Sequence, residues 1–221
     1  MSNPPASERP GLRVGYVPGV TLTKWRTAWG ERLRGTRLEL IEVETAEQRQ
    51  VLDAGVVDLC FVRLPIEEAD LHLIRLYEEA PVAWVSKKHP VAVFDEVSLA
   101  ELADETVLTD ASAASLDLAG VGEAVLHVPQ SVARTNSRRD FVYRPITDAP
   151  STTVALAWLV SNPNELIEEF IGIVRGRTAN SSRTTQARAA KPTEKPAKPD
   201  KPAGRQQPPR HPGQRGPRRR G

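Results

Sequence analysis

Three short loops contain residues that could hold a small ligand. Each follows an apolar, strand-like stretch, and the loops are Val17-Pro18-Gly19-Val20-Thr21, Glu44-Thr45-Ala46 and Arg63-Leu64-Pro65. If the strands are parallel, their carboxyl ends meet at one edge of a sheet, where unpaired N–H groups at helix N-termini attract anions. The hydroxyls of Thr21 and Thr45 would add donors. The pattern predicts a site for a small anion such as a carboxylate.

The same residues have a simpler interpretation. Thr21 and Thr45 stand where helix N-caps are expected, and Pro65 can simply end a strand. Neither Gly15 nor Gly19 belongs to a glycine-rich nucleotide-binding pattern. The spacing leaves both interpretations open, and it gives no support to a nucleotide phosphate site.

No set of residues for catalysis or for a metal cofactor is visible in the sequence. The four histidines are His72, His89, His127 and His211. They show neither metal-ligand spacing nor pairing with a nearby acid, and there is no G-x-S-x-G nucleophile motif. Two adjacent acidic pairs, expected to be solvated, are Glu67-Glu68 and Glu78-Glu79. We therefore predict a protein that is not an enzyme and uses no cofactor.

Charge divides the 221 residues into an acidic body and a basic tail. Residues 1–176 hold 17 Lys+Arg and 26 Asp+Glu, a balance of −9, whereas residues 177–221 hold 13 and 2, a balance of +11. The tail has no Phe, Trp or Tyr and contains 8 of the 19 prolines. Such a segment cannot bury enough apolar surface to offset its ordering entropy, so residues 177–221, like residues 1–11, are predicted to be disordered.

The basic residues suggest one kind of partner. The segment Lys191–Arg220 contains four Lys-Pro steps followed by several arginines, a composition that predicts non-specific, salt-sensitive binding to nucleic acid. A role as a solubilising linker is equally compatible with it. Ser137-Arg138-Arg139 is a smaller basic patch, interpreted as a solvated turn.

The sequence predicts no membrane partner. No apolar run approaches the roughly 18 residues of a transmembrane helix. The start, MSNPPASERPG, has neither the basic region nor the apolar core of a secretory signal. We therefore expect a cytoplasmic protein. The lone Cys60, inside the apolar run VVDLCFV, is predicted to be a buried apolar side chain.

The first third of the chain alternates strands and helices. Leu22, Trp25, Trp29 and Leu33 lie on one helical face, and Thr45 with Gln48 fits a capping box at a second helix. The strand-like segments around them are LRVGYV, RLELIEVE and the continuously apolar VVDLCFVRL. This order predicts right-handed crossovers onto a mostly parallel sheet.

The remaining elements are shorter. Ser98 with Glu101 forms a second capping-box pattern, and the final helix is predicted to begin with Asn162 as N-cap and to end at Gly176. The state of residues 110–124 is ambiguous. Further strand-like segments are LHLIRLYEEAPVAWVS, TVLT, AVLHVP, FVYRPI and TTVALAWLV.

The succession of motifs resembles a known family. The quoted segments are LRVGYVPGV, LELIEVETAEQRQVLDAGVVDLCFVRLP, LYEEAPVAWVSKKHPVA, EVSLAELADETVL, HVPQSVAR, YRPITDAPSTTVALAW and NELIEEFIGIVR. Over about residues 12–175 they resemble the effector-binding (substrate-binding) domain of LysR-type transcriptional regulators. The resemblance implies a type 2 periplasmic-binding-protein-like α/β fold, in which two small α/β lobes enclose a ligand cleft.

The resemblance also implies domain limits and ligand contacts. The domain would span 12–176, with lobe I at about 12–80 and 155–176, lobe II at about 84–150, and crossovers near 80–85 and 150–157. The implied ligand-binding residues are Pro18, Gly19, Thr21, Thr45, Arg63 and Pro65 from the first lobe and Thr109, Pro129 and Gln130 from the second.

Two departures from the family pattern matter. The first strand starts at Leu12, so the sequence as given lacks the N-terminal helix-turn-helix, and operator binding by itself is not expected. Between Thr109 and Pro129 only 19 residues are available, too few for the usual helix, strand and helix, so the second lobe is predicted to be reduced.

Two functional hypotheses follow. The first is a non-catalytic domain that senses a small anionic effector, such as an organic acid, and regulates transcription through a partner, with homodimerisation expected. The alternative is a nucleic-acid-associated accessory protein that binds through the basic tail.

Overall fold

Two separate sheets organise the part of the chain that the structure, a computed structural model, describes, which is residues 11–176. Of the segments predicted to be disordered, residues 1–10 and 177–221 lie outside the described residues, whereas Gly11 is the first residue of β1. The strands are β1 (Gly11–Tyr16), β2 (Arg37–Glu42), β3 (Leu59–Arg63), β4 (Leu71–Glu79), β5 (Pro81–Ser86), β6 (Val107–Leu108), β7 (Val125–Pro129), β8 (Phe141–Pro145) and β9 (Thr152–Leu159). The α-helices are α1 (Thr23–Arg32), α2 (Gln48–Asp53), α3 (Ala113–Val121), α4 (Gln130–Thr135) and α5 (Leu166–Val174).

The first sheet has the strand order β2-β1-β3-β9-β4. Strand β1 pairs in parallel with both β2 and β3, which confirms the parallel sheet predicted for the first three strands. Strand β9 then pairs antiparallel with β3 and with β4. All five residues of β3 are buried, as expected for a continuously apolar strand at the centre of a sheet.

Aromatic rings fill the core beside this sheet. Trp25 of α1 stacks on Phe61 of β3, with ring centroids 4.7 Å apart, and Phe170 of α5 meets Phe61 edge-on at 6.1 Å. Trp29 adds a tilted contact to Phe170 at 5.9 Å. These contacts hold α1 and α5 against the sheet, and together with it they form the first lobe.

The second lobe is built on the sheet β6-β7-β5-β8. On one face, Trp84 and Phe141 pack with α3 and α4. On the other face, Val85 packs with two short 3₁₀ segments, Pro90–Val93 and Ala100–Leu102. Only α3 lies between β6 and β7, which agrees with the reduced second lobe expected from the sequence.

The chain crosses between the sheets twice. Ala80 alone separates β4 from β5, and residues 146–151 connect β8 back to β9. Two hydrogen bonds tie these crossings to the second sheet. The Gln130 N–H donates to the Ala80 carbonyl at 2.9 Å, and the Ile146 N–H donates to the Pro81 carbonyl at 3.1 Å. Both crossings therefore lie side by side.

Helix starts show where local sequence patterns succeed and fail. Ser98 and Glu101 form the predicted capping box, in which Ser98 N donates to Glu101 Oε2 at 2.7 Å and Glu101 N to Ser98 Oγ at 3.3 Å. Helix α3 settles the ambiguous stretch 110–124, and the Ser112 hydroxyl caps it by accepting from Ser115 N at 3.2 Å. Alanine-rich sequence behind a good cap favours this helix.

Three predicted caps are wrong. Helix α1 begins at Thr23 without a side-chain cap, and a 3₁₀ turn (Thr45–Glu47) replaces the capping box expected at Thr45. Helix α5 begins at Leu166 rather than just after Asn162. The reason is a pair of Asx turns, in which the Asn162 and Asn164 side chains accept backbone N–H groups two residues on, at 3.0 and 3.1 Å.

Among residues 11–176, none of the helices combines the length and the apolar composition needed to span a bilayer.

Cys60 is completely buried in β3, as predicted, and burial raises the pKa of its thiol to about 12. We expect a thiol reagent such as DTNB to leave Cys60 of the native protein unmodified at pH 8, because the reactive thiolate is absent there. In urea above the unfolding midpoint, the same reagent should label one thiol per chain rapidly. Fast labelling without denaturant would contradict the buried position of this strand.

Candidate functional site

The candidate site is centred on Arg63, the last residue of β3. Gln48 of α2 holds its backbone from both sides, since Arg63 N donates to Gln48 Oε1 at 2.9 Å and Gln48 Nε2 donates to the Arg63 carbonyl at 2.8 Å. The buried central strand thus delivers Arg63 to the carboxyl edge of the sheet with its main chain fixed. Its side chain extends beyond that edge toward the second lobe.

The guanidinium group of Arg63 connects the two lobes. Its Nε donates to Glu79 Oε2 at 2.8 Å, at the end of β4, and its Nη2 donates to Ser131 Oγ at 3.3 Å, on α4 of the second lobe. The side chains of Arg63 and Glu79 are only 7% and 5% exposed. A charged pair this deeply buried depends on its partners, and removing one of them typically costs about 3–5 kcal/mol.

Glu79 is the main difference from the sequence prediction, in which Glu78-Glu79 was a solvated pair. Glu78 is exposed, but Glu79 is buried against Arg63. Its Oε1 atom is buried as well and has no hydrogen-bond donor among the described residues. A buried carboxylate oxygen without a donor is costly, so this atom offers an acceptor to a ligand or a water molecule.

At Gly19 the first lobe lies close to helix α4 of the second lobe. Its φ of +91° favours glycine, and a Cβ atom added there would lie 2.6 Å from Ser131 Oγ and 2.9 Å from the backbone N of Val132. The same Cβ would lie 3.1 Å from Arg63 Nη2. The loop after β1, the guanidinium of Arg63 and the start of α4 therefore meet at one point.

Tyr77 lies close to this charged pair. Burial raises the pKa of its phenol, the negative charge of Glu79 raises the pKa further, and the positive charge of Arg63 lowers it. Tyr77 remains 41% exposed. It is therefore an aromatic hydroxyl, protonated at neutral pH, beside the Arg63–Glu79 pair.

The nine predicted site residues fall into three groups. Gly19 and Arg63 meet at the contact between the lobes, and Gln130 begins the helix that they contact. Half-buried positions nearby in the chain are Pro18 and Pro129. The exposed residues, for which no side-chain hydrogen bond to this contact is found within residues 11–176, are Thr21, Thr45, Pro65 and Thr109. The Leu64–Pro65 peptide bond is cis.

Sequence reasoning missed three polar residues at the contact. Gln48 was interpreted only as a capping partner, and Glu79 as a solvated acid. Ser131 directly follows the predicted Gln130 but was not included. The alternation of polar and apolar residues along β4 does not predict that Glu79 is buried. A β-bulge between Arg75 and Tyr77 shifts the register of the strand just before this residue.

The residues from 11 to 176 contain no group of three or more His, Cys, Asp or Glu side chains that could hold a metal ion. His89 is buried for a structural reason, since its Nδ1 accepts the Val91 N–H at 3.2 Å and its Nε2 lies 3.4 Å from Glu105 Oε2. The polar groups at the lobe contact are instead hydrogen-bonding groups, suited to hold an organic ligand.

Two α/β lobes joined by two adjacent crossings, with a buried arginine between them, define a periplasmic-binding-protein-like domain. The family model described as LysR substrate binding domain matches residues 6–117, about half of the chain. The chain therefore belongs to the LysR substrate-binding domain family, as its sequence motifs predicted.

Known proteins support this assignment. The Hca operon transcriptional activator HcaR of Escherichia coli K12 is 23% identical over 203 residues, covering 76% of this chain and 68% of that protein. HTH-type transcriptional regulator CatR of Pseudomonas putida is 30% identical over 103 residues, covering 46% of this chain and 35% of CatR. The structure of the BenM effector binding domain with its effector benzoate has a TM-score of 0.64 at 21% identity, covering 80% of this chain and 95% of that one.

The lobe contact can be tested at Gly19. We expect Gly19→Ala to lower the free energy of unfolding, measured in urea, by more than Gly35→Ala does. Both glycines have a similar left-handed φ, +91° and +88°, which costs about 1–2 kcal/mol for alanine, but a Cβ on Gly35 meets nothing within 4 Å. The excess loss at Gly19, about 1–3 kcal/mol, reports the collision with Ser131 and Val132. Equal losses would show that the lobes do not touch there in solution.

Proposed function

We propose that this domain senses an organic acid that binds between its lobes at Arg63, and that it regulates transcription through a partner protein. The observation that carries the proposal is the buried guanidinium of Arg63, which contacts Glu79 in one lobe and Ser131 in the other. Family membership and the benzoate bound by BenM support a small organic effector.

The chemistry of Arg63 favours a carboxylate. A guanidinium offers five N–H donors in a planar fork that matches carboxylate geometry. Nε is used by Glu79 and Nη2 by Ser131, while Nη1 makes no hydrogen bond to the described residues. Because Glu79 already offsets the charge, the acid would be held by directed hydrogen bonds rather than by a net positive field.

The same arrangement suggests how a ligand would act. A carboxylate that takes the place of the Ser131 hydroxyl at Nη2 would break the hydrogen bond between the lobes. A hydroxyl on the ligand could donate to the buried Oε1 of Glu79, which lacks a donor among the described residues. Ligand binding would then change how the first lobe contacts α4, and a partner could sense that change.

Other parts of the proposal concern the protein as a whole. We propose a single sensing domain over 12–176, with a first lobe of about 12–80 and 155–176 and a second of about 84–150. The remaining predicted contacts, at Pro18, Thr21, Thr45, Pro65, Thr109, Pro129 and Gln130, are proposed to line the wider cleft. The domain is proposed to be non-catalytic, cytoplasmic and dimeric. Nucleic-acid binding through Lys191–Arg220 remains a prediction about residues outside the described ones.

A ligand screen tests the proposal directly. We expect at least one member of a panel of aromatic and aliphatic carboxylates to raise the Tm of the full-length protein. At 100 times its Kd, a ligand stabilises the native state by about 2.7 kcal/mol, which corresponds to about 5 °C or more for a domain of this size. The absence of a shift across the panel would contradict an organic-acid effector.

A pair of double variants tests the location within the same experiment. Arg63→Met/Glu79→Leu removes the buried pair completely, so it should keep the fold but lose the ligand-induced shift. Arg75→Met/Glu68→Leu is the matched control, since it removes an exposed arginine–glutamate pair of the same lobe, 3.8 Å apart. This control should keep the full shift. A shift retained by the first variant would place the ligand elsewhere.

A further inference from the structure

A cavity lies in the second lobe, between the end of α4 and β8, the edge strand of its sheet. Its volume is about 510 Å³, and Gly19, Arg63, Glu79 and Ser131 do not line it. The polar and aromatic residues that do are Trp84, Arg134, Ser137, Arg138, Phe141, Tyr143 and Arg144. A volume of this size suits a small organic molecule.

The arginines here reflect an uneven distribution of charge. Residues 81–150 contain six Lys and Arg, all of which fall within 87–88 and 134–144. The same stretch contains ten Asp and Glu, but only Asp140 falls within those two segments. The fold brings the two segments together, since Lys87 Nζ donates to the Arg139 carbonyl at 2.8 Å. The basic residues of an otherwise acidic lobe are thus concentrated in one region, and Arg134, Arg138 and Arg144 among them line the cavity.

Among the described residues, no carboxylate pairs with the arginines that line the cavity. Within residues 11–176, no Asp or Glu oxygen lies within 4.0 Å of a nitrogen of Arg134, Arg138 or Arg144. Arg144 also lines the cavity, but its side chain extends to the opposite face of the sheet from Trp84 and Tyr143, where Nη2 donates to the Ala92 carbonyl at 2.7 Å. The charges that remain at the cavity are those of Arg134 and Arg138, which repel each other unless an anion joins them.

The cavity also has an apolar side. Arg138 lies over the ring of Phe141, 5.8 Å from its centroid, and this cation–π contact holds the guanidinium at the rim. Trp84 and Phe141 are almost fully buried, and half-buried Tyr143 continues their surface. A ligand here would meet cationic groups on one side and aromatic rings on the other. An inorganic ion would leave much of the space unfilled.

We propose that this cavity is a second ligand site, which takes a small organic polyanion such as a phosphate ester or a polycarboxylate. Its charged groups would bind the guanidinium groups of Arg134 and Arg138 and the Ser137 hydroxyl. Its carbon skeleton would lie against Tyr143. The site is separate from the effector site proposed at Arg63 and does not depend on it.

Calorimetric titration of the full-length protein with AMP and with citrate, at fixed ionic strength, tests the proposal. At least one probe should bind saturably, and Arg134→Ala/Arg138→Ala should weaken it about tenfold or more, the change that corresponds to about 1.4 kcal/mol. Both arginines are exposed, so the fold should survive, and urea unfolding checks this. The matched control, Lys88→Ala/Arg139→Ala, removes two exposed charges from the same segments outside the cavity lining and should change affinity less than twofold.

Four outcomes distinguish a ligand site from its alternatives. Selective weakening by Arg134→Ala/Arg138→Ala supports the site. Equal weakening by both double variants shows only a diffuse basic surface and overturns it, as does a lack of saturable binding by both probes. The variant Arg63→Met/Glu79→Leu should bind the probe as the wild type does. Loss of binding in that variant would place the probe in the effector site and would also overturn this proposal.

Discussion

The burial of Arg63 constrains everything around it. A central strand covered on both faces ends in a residue whose charge cannot reach bulk water, so the fold must supply acceptors at the edge of the sheet. It does so with Glu79, placed at the point where the chain leaves the first sheet, and with Ser131, at the start of a helix in the second lobe. The hydrogen bonds that compensate for the desolvation of the Arg63 guanidinium therefore also connect the two lobes.

This constraint explains why neutral or small residues surround the pair. Gly19 leaves room for the Ser131 hydroxyl and for the guanidinium, and any Cβ there would push the loop away from α4. Gln48 fixes the Arg63 backbone without adding a second charge to the buried region. The interlobe contact at Arg63 is therefore made of a few directed hydrogen bonds. Exchange of the Ser131 hydroxyl for another acceptor would change the free energy of the contact only slightly, and it could alter how the lobes are positioned.

The success of sequence reasoning depended on how local the determining interactions are. The continuous apolar run of β3, the Ser98–Glu101 capping box and the helix around Trp25 and Trp29 depend on neighbours within a few residues, and they were predictable. Arg63 and Gly19 were found because strand ends gather at one edge of a parallel sheet. Glu79 was missed because its burial follows from a bulge and from a partner 16 residues away.

The distribution of charge also depends on contacts between distant parts of the chain, which the sequence alone does not reveal. Along the chain, the basic segments 87–88 and 134–144 are separated by 45 residues that contain eight Asp and Glu and no Lys or Arg, so the net charge of the lobe hides the basic segments. Antiparallel pairing of β5 with β8 sets Ser86 opposite Phe141 and bonds Lys87 N to the Asp140 carbonyl, which brings both segments to one edge. An arrangement that concentrates repelling charges costs stability, and within residues 11–176 no carboxylate pairs with Arg134 or Arg138. That uncompensated charge is what an anionic ligand would neutralise.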